Sequence, residues 1–515
     1  MLYNENKFAL SNPVALMLDK DKNDFTRDDL IRLFQENQLE RITFHYTGID
    51  GKIKELKIPI ANKKQAETIL SEGERVDGSS LFKGIVDTGK SDLYVVPVYK
   101  TAFLNPFEDG SLDFICRFID ADGNLASFTP DSILQRAHKL LFDKTGFELY
   151  ALGELEFYII YDTIYKTYPL PKQRGYHASS PFVKNQDILN EMIRYITQLC
   201  GNVKYAHNEV GCIEKLESHL EEIKGKSAEQ VEIEFLPTNI EETAEYLVLS
   251  KWIIRNVAYK HNSIATFVPK LENGHAGNGM HIHMQLMKDG KNIMTNKKGN
   301  LSEEAKMLIG GLCQFAPSLT AFGNTCSASY LRLVPHQEAP TKVCWSESNR
   351  SAMIRVPLGW TKANNLAMII NPQQKTKLKQ DTSRQTVELR TPDGSALIHL
   401  LLSGIVLAVD SGLTNSKESL ETAKICHVSV NIHDSDYGQN LSELPTSCAE
   451  SSEKLLQHRS LYERDHIFSS TIISYITNLL QNENDRNLNK RLMALPDDEK
   501  LKESRRIMHR DIHKH

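Results

Sequence analysis

The sequence lacks the features that mark secreted and membrane proteins. Its eight cysteines include no CxxC pair, which is typical of a protein whose thiols stay reduced. The opening MLYNENKFAL has neither the basic start nor the apolar core of a signal peptide. The one long apolar run, residues 396–409, is too short for an easy membrane span and is interrupted by His399 and Ser403. We therefore expect a cytoplasmic protein in which this run is a buried helix.

Other absences exclude whole classes of function. The net charge is only −5, so nucleic acid is not favoured as the main ligand. The sequence has no GxxxxGK[ST] phosphate loop, no glycine fingerprint that opens a dinucleotide-binding helix, and no fixed-period repeat. The basic stretch KESRRIMHRDIHKH at the C-terminus is interpreted as a solvated tail.

What is present is an ordinary globular composition, with 40% hydrophobic and 25% charged residues in a chain of 515. A chain of this length can bury a large core and form more than one domain. Thr26 predicts the N-cap of an early helix, and Asp50-Gly51 predicts the turn of a β-hairpin. A further strand is predicted at residues 92–98. Thr129 then predicts the start of an amphipathic helix after a polar turn, which indicates a domain boundary.

Two glutamates share one face of a predicted strand. In ALGELEFYII, Glu154 and Glu156 are two positions apart, so their side chains point the same way, about 7 Å from each other. Carboxylates on an otherwise apolar strand are costly without a partner. Either this face of the sheet is exposed, or the pair binds hard cations such as magnesium or manganese.

A glycine-rich turn precedes two histidines with the same spacing. NGHAGNGMHIHMQL, at residues 273–286, ends in an alternating pattern that predicts a common face for His281 and His283. Metal ligation, phosphate contact and a structural role are all open for this pair. The glycines alone are a weak indication of a phosphate-binding loop.

Arginines are concentrated in two later segments, YLRLVPHQEAPTKVCWSESNRSAMIRVPLGW and TVELRTPDGS. Arginine binds carboxylates and phosphates through paired hydrogen bonds. Four arginines on short, strand-like apolar segments therefore indicate an anionic substrate. The charged residues of these segments include Glu338, Glu388, Arg332, Arg350, Arg355 and Arg390.

Taken together, these segments resemble the glutamine synthetase family, in family order and over nearly the whole chain. The motifs are VDGSSLFKGI, GELEF, HNEV, PKLENGHAGNGMHIHMQL, YLRLVPHQEAP, NRSAMIRVP and VELRTPDGSA. The resemblance implies an α+β protein with a small β-grasp domain at residues 1–126 and a large catalytic domain at residues 127–515. In the catalytic domain, an antiparallel sheet would form a funnel for two or more divalent cations, magnesium or manganese.

The resemblance also implies a role for each motif residue. The cation ligands would be Glu156, Glu209 and Glu232 for one ion and Glu154, His281 and Glu388 for the other. The nucleotide contacts would be Lys270, His283, Gln285 and Arg355. Arg350 and Arg355 would hold phosphate in the transition state, Arg332 and Arg390 would position the carboxylates of glutamate, and Gly277 would lie near its amino group.

The implied reaction joins glutamate to ammonium with ATP, through γ-glutamyl phosphate. The ammonium contacts would be Asp77, Tyr176, Glu209 and Glu338. Asp77 and Ser80 would come from a neighbouring subunit, because active sites of this family lie between protomers. A homo-oligomer is therefore expected, arranged as a double ring and with a dodecamer as the expected size.

One departure from the family pattern is an insertion at residues 212–229, between the two motifs that carry Glu209 and Glu232. Glu232 is preferred to Glu217 as the ligand, because QVEIEF keeps the context of the family motif. Apolar residues of the insertion recur at helical spacing, which predicts an amphipathic hairpin elaborating the surface.

Smaller departures fall in the substrate and nucleotide motifs. Ala276 replaces an asparagine, Gln285 a serine, and Leu271 a proline, while Ser383 stands where a basic residue is expected. Ser442 stands where bacterial relatives carry a modifiable tyrosine, so adenylylation there is not expected. His275 is interpreted as incidental. Ala276 and Gln285 keep open a γ-glutamyl ligase that acts on another amine, and a non-catalytic structural member of the fold is a further alternative.

Overall fold

A computed structural model of the chain describes residues 8–163, 167–170, 172–334, 339–359, 365–378, 383–429 and 441–515. Its α-helices are α1 (Pro13–Leu18), α2 (Arg27–Glu36), α3 (Lys63–Glu72), α4 (Gly78–Leu81), α5 (Pro130–Thr145), α6 (Gln186–Cys200), α7 (Ile240–Lys260), α8 (Glu303–Gly323), α9 (Ser329–Arg332), α10 (Ala367–Ile370), α11 (Ile398–Thr414), α12 (Ser416–Ile425), α13 (Cys448–Gln457), α14 (Arg459–Glu463), α15 (Ser470–Gln481), α16 (Leu488–Met493) and α17 (Asp497–Arg510). Its strands are β1 (Arg41–Thr47), β2 (Ile53–Pro59), β3 (Glu74–Asp77), β4 (Asp92–Pro97), β5 (Phe103–Leu104), β6 (Ser111–Ile119), β7 (Glu148–Tyr161), β8 (Val203–Ile213), β9 (Ser227–Phe235), β10 (Thr238–Asn239), β11 (Ile264–Thr266), β12 (Ile282–Lys288), β13 (Lys291–Asn292), β14 (Trp345–Glu347), β15 (Ile354–Val356) and β16 (Val387–Leu389).

The N-terminal part of the chain forms a small sheet in the order β2-β1-β6-β4-β3, with β5 on β6. The predicted hairpin is confirmed: β1 and β2 pair antiparallel, and Gly51 in the turn has φ +74°, which favours glycine. β4 confirms the strand predicted at residues 92–98, although it ends one residue earlier, at Pro97. Thr26 caps α2 as predicted, and Asp29 completes a capping box with it.

The larger sheet has the order β14-β15-β16-β12-β7-β9-β8, with β10 and β11 on β7 and β13 on β12. The 14-residue β7 lies between β12 and β9 and pairs with both of them antiparallel. The sheet is mixed rather than purely antiparallel, because β14 pairs with β15 in parallel. The predicted antiparallel sheet is therefore correct for β7, β9 and β12 and wrong for the edge formed by β14.

Helices enclose the larger sheet, and the apolar run at residues 396–409 lies among them. This run lies within α11 except for its first two residues, and α11 is buried from Ile398 to Gly412, as predicted for a core helix. In the described ranges, no single helix has the length and apolarity of a membrane span. The bent pair α11 and α12, at 107° to each other, meets those two criteria together. All eight cysteines are free thiols.

A second, smaller apolar cluster joins the insertion to the C-terminal tail, and two predictions fail there. The insertion is not a helical hairpin: β8 continues to Ile213, β9 begins at Ser227, and turns connect them. Leu216 and Ile223 have no exposed surface, and they pack with Ile512 of the tail. Burial of apolar side chains drives this contact, so the tail is partly buried and not a solvated stretch. The connection between β8 and β9 stays at the surface, because most of its residues other than Leu216 and Ile223 are exposed.

Candidate active site

The register of the larger sheet brings the acidic and histidine motifs together. Because register fixes which side chains share a face, segments far apart in sequence meet on β7, β8, β9, β12 and β16. The paired positions are Glu154–Glu234 and Glu156–Glu232 between β7 and β9, His207–Glu232 between β8 and β9, and His283–Glu388 between β12 and β16.

The first cluster of this centre surrounds Glu154. Its carboxylate accepts hydrogen bonds from His281 Nδ1 at 2.8 Å and from His283 Nε2 at 2.9 Å. Glu388, only 1% exposed, lies 3.6 Å from His281 Nδ1. Burial alone would raise the pKa of Glu154, but the two imidazoles outweigh burial and hold that pKa well below its usual range. Burial would lower the pKa of His283, but the carboxylates of Glu154 and Glu388 raise it.

The second cluster contains Glu209 and Glu232 together with His207, which the sequence interpretation did not single out. His207 lies 3.2 Å from Glu232 and 3.7 Å from Glu209. His207 and Glu209 are two positions apart on β8, as Glu154 and Glu156 are on β7. The same spacing rule, applied to HNEV, places His207 on the face of the strand that carries Glu209. Glu156 faces Glu232 across the strands, but its carboxylate accepts a hydrogen bond from the backbone of Gly279 at 2.7 Å.

Both clusters have the donors that a divalent cation needs. The ligand atoms of Glu154, His283 and Glu388 lie within 4.8 Å of one another, and so do those of His207, Glu209 and Glu232. Burial raises the pKa of Glu232 well above its usual range, and the surrounding carboxylates raise it further. A bound cation relieves both effects, so the residues fit a pair of divalent ions.

Arginines surround the carboxylate of Glu388. Arg355 Nη1 donates a hydrogen bond to one carboxylate oxygen at 2.9 Å, and Arg390 Nε lies 3.2 Å from the other oxygen. A side-chain nitrogen of Arg390 also contacts the backbone carbonyl of Arg350. Within the described residues, the buried Nε of Arg355 has no hydrogen-bond acceptor. An unsatisfied buried guanidinium donor fits an anion such as phosphate.

The glycine-rich loop lies against another arginine. A Cβ on Gly277 would lie 2.6 Å from the carbonyl oxygen of Pro269 and 3.1 Å from Arg332 Cγ, so this close approach requires glycine. Arg332 donates to the carbonyl of Thr391 at 3.0 Å. Gln230 donates to the carbonyl of Gly277 at 2.9 Å, which fixes the loop from the side of β9.

The residues predicted to bind the nucleotide lie in different surroundings. Lys270 is buried, and its Nζ contacts the carbonyl of His275. His283 belongs to the first cluster, while Gln285 accepts a hydrogen bond from Asn292 at 2.7 Å and lies further along β12. Ala276 keeps a backbone role, because its carbonyl accepts a hydrogen bond from the hydroxyl of Tyr158 at 2.8 Å.

The residues predicted for ammonium are spread over the chain. Tyr176 stacks on His177, with ring centroids 4.3 Å apart, and lies 5.3 Å from the ring of His207. Asp77 ends β3 on the small sheet, where the hydroxyls of Ser80 and Ser79 lower its pKa to about 2. Glu338 lies outside the described residues.

The structure distinguishes the two glutamates, Glu232 and Glu217, that are candidates for the same cation-ligand position. Glu232 lies in the second cluster, while the side chain of Glu217 is 52% exposed, with Lys215 at 3.8 Å.

Leu271, which replaces a proline in the nucleotide motif, is fully buried in the small apolar cluster that contains Ile512. No local pattern in the sequence predicts this contact between the nucleotide motif and the tail.

Known proteins share this organisation. A family model for the glutamine synthetase catalytic domain matches residues 127–492, and one for the glutamine synthetase beta-grasp domain matches residues 38–121. The glutamine synthetase of Pyrococcus horikoshii is 31% identical over 437 residues, which cover 83% of this chain and 87% of that protein. The glutamine synthetase of Aquifex aeolicus is 29% identical and covers 76% and 81% respectively.

Two solved structures resemble the fold. Plasmodium falciparum glutamine synthetase superposes with a TM-score of 0.69 and 21% identity, over 90% of this chain and 97% of that one. A GmaS–ADP complex has a TM-score of 0.69 and 18% identity, over 91% and 98%. At this identity the likeness concerns the fold alone. Together with the family match, it confirms the predicted combination of a β-grasp domain and a larger catalytic α+β domain.

Proposed function

The chain belongs to the glutamine synthetase family, and from that premise we propose that it forms glutamine from glutamate and ammonium with ATP, through γ-glutamyl phosphate. The observation that carries the proposal is one buried centre where carboxylates and imidazoles meet the guanidinium groups around Glu388. Such a centre serves cations and anions together, as phosphoryl transfer requires.

In the first step, Arg332 and Arg390 hold the carboxylates of glutamate, and Gly277 leaves room for its amino group. An oxygen of the γ-carboxylate attacks the γ-phosphorus of ATP, the new P–O bond forms, and the bond to the β-phosphate oxygen breaks to release ADP. Arg350 and Arg355 offset the negative charge on the transferred group. The unsatisfied Nε of Arg355 supports this role, since it is a donor without an acceptor among the described residues.

The nucleotide is assigned to Lys270, His283, Gln285 and Arg355. One divalent cation is assigned to Glu154, His281 and Glu388, and the other to Glu156, Glu209 and Glu232. When bound, such cations neutralise and orient phosphate oxygens. His207 is added to the second ligand set, because its ring nitrogen lies within 4.8 Å of the ligand atoms of Glu209 and Glu232.

In the second step, ammonium gives up a proton and its nitrogen attacks the carbonyl carbon of the acyl phosphate. The C–N bond forms, the C–O bond to phosphate breaks, and inorganic phosphate leaves. Asp77, Tyr176, Glu209 and Glu338 are the groups proposed to bind ammonium and accept the proton. Asp77 and Ser80 lie on the small sheet, and we assign them to the site of a neighbouring subunit in a homo-oligomeric double ring.

A second candidate, ligation of glutamate to another amine, is favoured by one observation. The ring of His177 stacks on that of Tyr176 and is tilted by 44° to that of His207, which belongs to the second cluster, and both pairs of ring centroids are 4.3 Å apart. Aromatic faces bind alkylammonium groups through cation–π attraction. Ala276, which replaces an asparagine of the substrate loop, is consistent with an altered substrate.

The deciding experiment measures phosphate release with ATP, glutamate and magnesium or manganese, and compares ammonium with methylamine and polyamines. The proposal expects the highest kcat/KM with ammonium. Turnover confined to a larger amine would contradict it in favour of the second candidate. Absence of turnover with every amine, in protein that binds ATP and cations, would indicate a non-catalytic member of the fold.

A further inference from the structure

Three side chains with different ligand atoms meet where the C-terminal tail reaches the catalytic domain. Cys326 lies between α8 and α9, while Asp511 and His515 follow α17. One ligand atom from each lies within 4.8 Å of the other two. None of these residues belongs to the site described above.

The polar atoms of this group are poorly satisfied by the protein. His515 is 8% exposed, and within the described residues its Nε2 is buried with no hydrogen-bond partner. The thiol of Cys326 is fully buried and lies 3.7 Å from the hydroxyl of Ser329, a weak contact. An unpartnered buried imidazole is costly unless something completes it.

Asp511 keeps one oxygen available. Its Oδ2 accepts a hydrogen bond from Arg510 Nη2 at 2.7 Å, while Oδ1 lies 4.0 Å from Lys514 Nζ. The Asp511 side chain is 12% exposed. The carboxylate can therefore serve a ligand on one side without losing its ion pair on the other.

The charges around the three groups differ from one side to the other. Near the thiol, burial and the carboxylates of Asp393 and Glu483 raise the pKa of Cys326 to about 12. Near the imidazole, burial and the cationic side chains of Lys514 and Lys251 hold the pKa of His515 well below its usual range. The neighbours of the thiol are thus mainly acidic, and those of the imidazole are basic.

We propose that Cys326, Asp511 and His515 bind one divalent ion of the zinc class, as three of its four ligands. Sulfur, nitrogen and oxygen donors together suit such an ion, whereas magnesium requires oxygen ligands. Bond lengths of about 2.0–2.3 Å require tetrahedral donor separations of about 3.3–3.8 Å. The three atoms, already within 4.8 Å of one another, therefore need to approach by no more than about 1.5 Å.

The ion would fix the tail to the body of the protein. The same tail contacts the nucleotide motif, because His509 Nε2 bonds the carbonyl of Leu271 at 2.9 Å and Arg505 bonds Glu272 at 2.8 Å. The site is structural, and it is independent of the reaction proposed above.

Cobalt is the probe that separates this site from the catalytic centre. The assigned ligands of the catalytic centre include no cysteine, so cobalt bound there gives no thiolate-to-metal charge-transfer absorption. Full-length protein stripped with a chelator is titrated with Co²⁺. We expect a charge-transfer band in the near ultraviolet that saturates at one Co²⁺ per chain and is displaced by Zn²⁺. A wild-type protein without this band overturns the proposal.

Variants of the three ligands and of two control residues test which side chains produce the charge-transfer band. C326S and H515Q should each abolish it, and D511N should weaken Co²⁺ binding at least tenfold. The controls are C200S, another buried cysteine, and H513Q, an exposed tail histidine that pairs with Glu222. A band that survives C326S, or one that is lost equally in the controls, also overturns the assignment.

Discussion

His283 in the sheet centre and His509 in the tail are both buried histidines, yet their surroundings move the pKa in opposite directions. His283 is ion-paired with Glu154, and this carboxylate and Glu388 raise its pKa. His509 is bonded to the hydroxyl of Ser218 and the carbonyl of Leu271, and burial lowers its pKa. The carboxylates of the centre therefore favour a charged imidazole at His283, whereas burial in the tail favours a neutral one at His509.

The two regions also differ in what fixes their geometry. In the centre, strand register sets the position of every ligand, and unfavourable carboxylate pairs such as Glu156 and Glu232 are held opposite each other. In the tail, an apolar cluster and a few side-chain hydrogen bonds hold α17 against the insertion. Repulsion between carboxylates is thus built into the centre, where bound cations would offset it.

The largest expected effect tests that contrast at Glu232. E232Q should weaken divalent-cation binding by at least about 100-fold, because it removes a direct ligand. Loss of a group that only orients a ligand has a smaller effect. The same change should raise the melting temperature of cation-free protein at neutral pH. The reason is that the folded-state pKa of Glu232 is raised, so its ionised form destabilises the fold above the unfolded pKa. Calorimetry with and without manganese measures both effects.

E217Q is the matched control, because Glu217 is the other candidate for the ligand position and its side chain is 52% exposed. It should change neither cation affinity nor melting temperature. If E217Q lost the cation and E232Q kept it, the ligand assignment across the insertion would be wrong.

The next effect concerns the apolar contact of the tail. I512A should lower the free energy of unfolding of α17 by about 2–4 kcal/mol, because Ile512 is 2% exposed and its truncation leaves a cavity. Hydrogen exchange of the α17 amides measures the change. The control I425A removes the same side chain at a position 67% exposed, and should stay within about 0.5 kcal/mol. Equal effects of the two variants would show that the cluster does not anchor the tail.

The centre could be anticipated from sequence far better than the tail, for a physical reason. Strand periodicity places Glu154 with Glu156 and His281 with His283 from local spacing alone. The apolar residues of the insertion and of the tail have no such rule, because their partners lie hundreds of positions away: Leu216 and Ile223 meet Ile512. Helical spacing in the insertion was misleading, since those side chains are buried by a distant segment and not by one helix face.

Contacts at the edge of the larger sheet and at the tail could also not be predicted from local sequence patterns. The parallel pairing of β14 with β15 and the assignment of His515 to a ligand group both depend on tertiary packing. The composition KESRRIMHRDIHKH indicates a solvated stretch, because charge dominates it. Only the fold reveals that Met508, His509 and Ile512 point inward from it.

The smallest expected effect is a pH response that separates the two regions. Because the folded-state pKa of His509 is lowered, the unfolded state binds more protons below the unfolded value of about 6.5, and stability is lost as pH falls. Between pH 7 and 5.5 the tail should therefore lose opening free energy through this group. The pair of Glu154 and His283 has the opposite behaviour: the raised pKa of His283 stabilises the centre at low pH, until Glu154 is protonated at still lower pH.

Hydrogen exchange on cation-free protein, corrected for the intrinsic rate at each pH, tests this last prediction. The α17 amides should lose protection between pH 7 and 5.5, while those of β7 and β12 should keep theirs. H509Q should remove the part of the α17 pH dependence that comes from this histidine, and H513Q, which changes a histidine 57% exposed, should leave it in place. A tail whose protection is constant over this range would mean that His509 is protonated without cost, and the contrast between the two regions would then rest on packing alone.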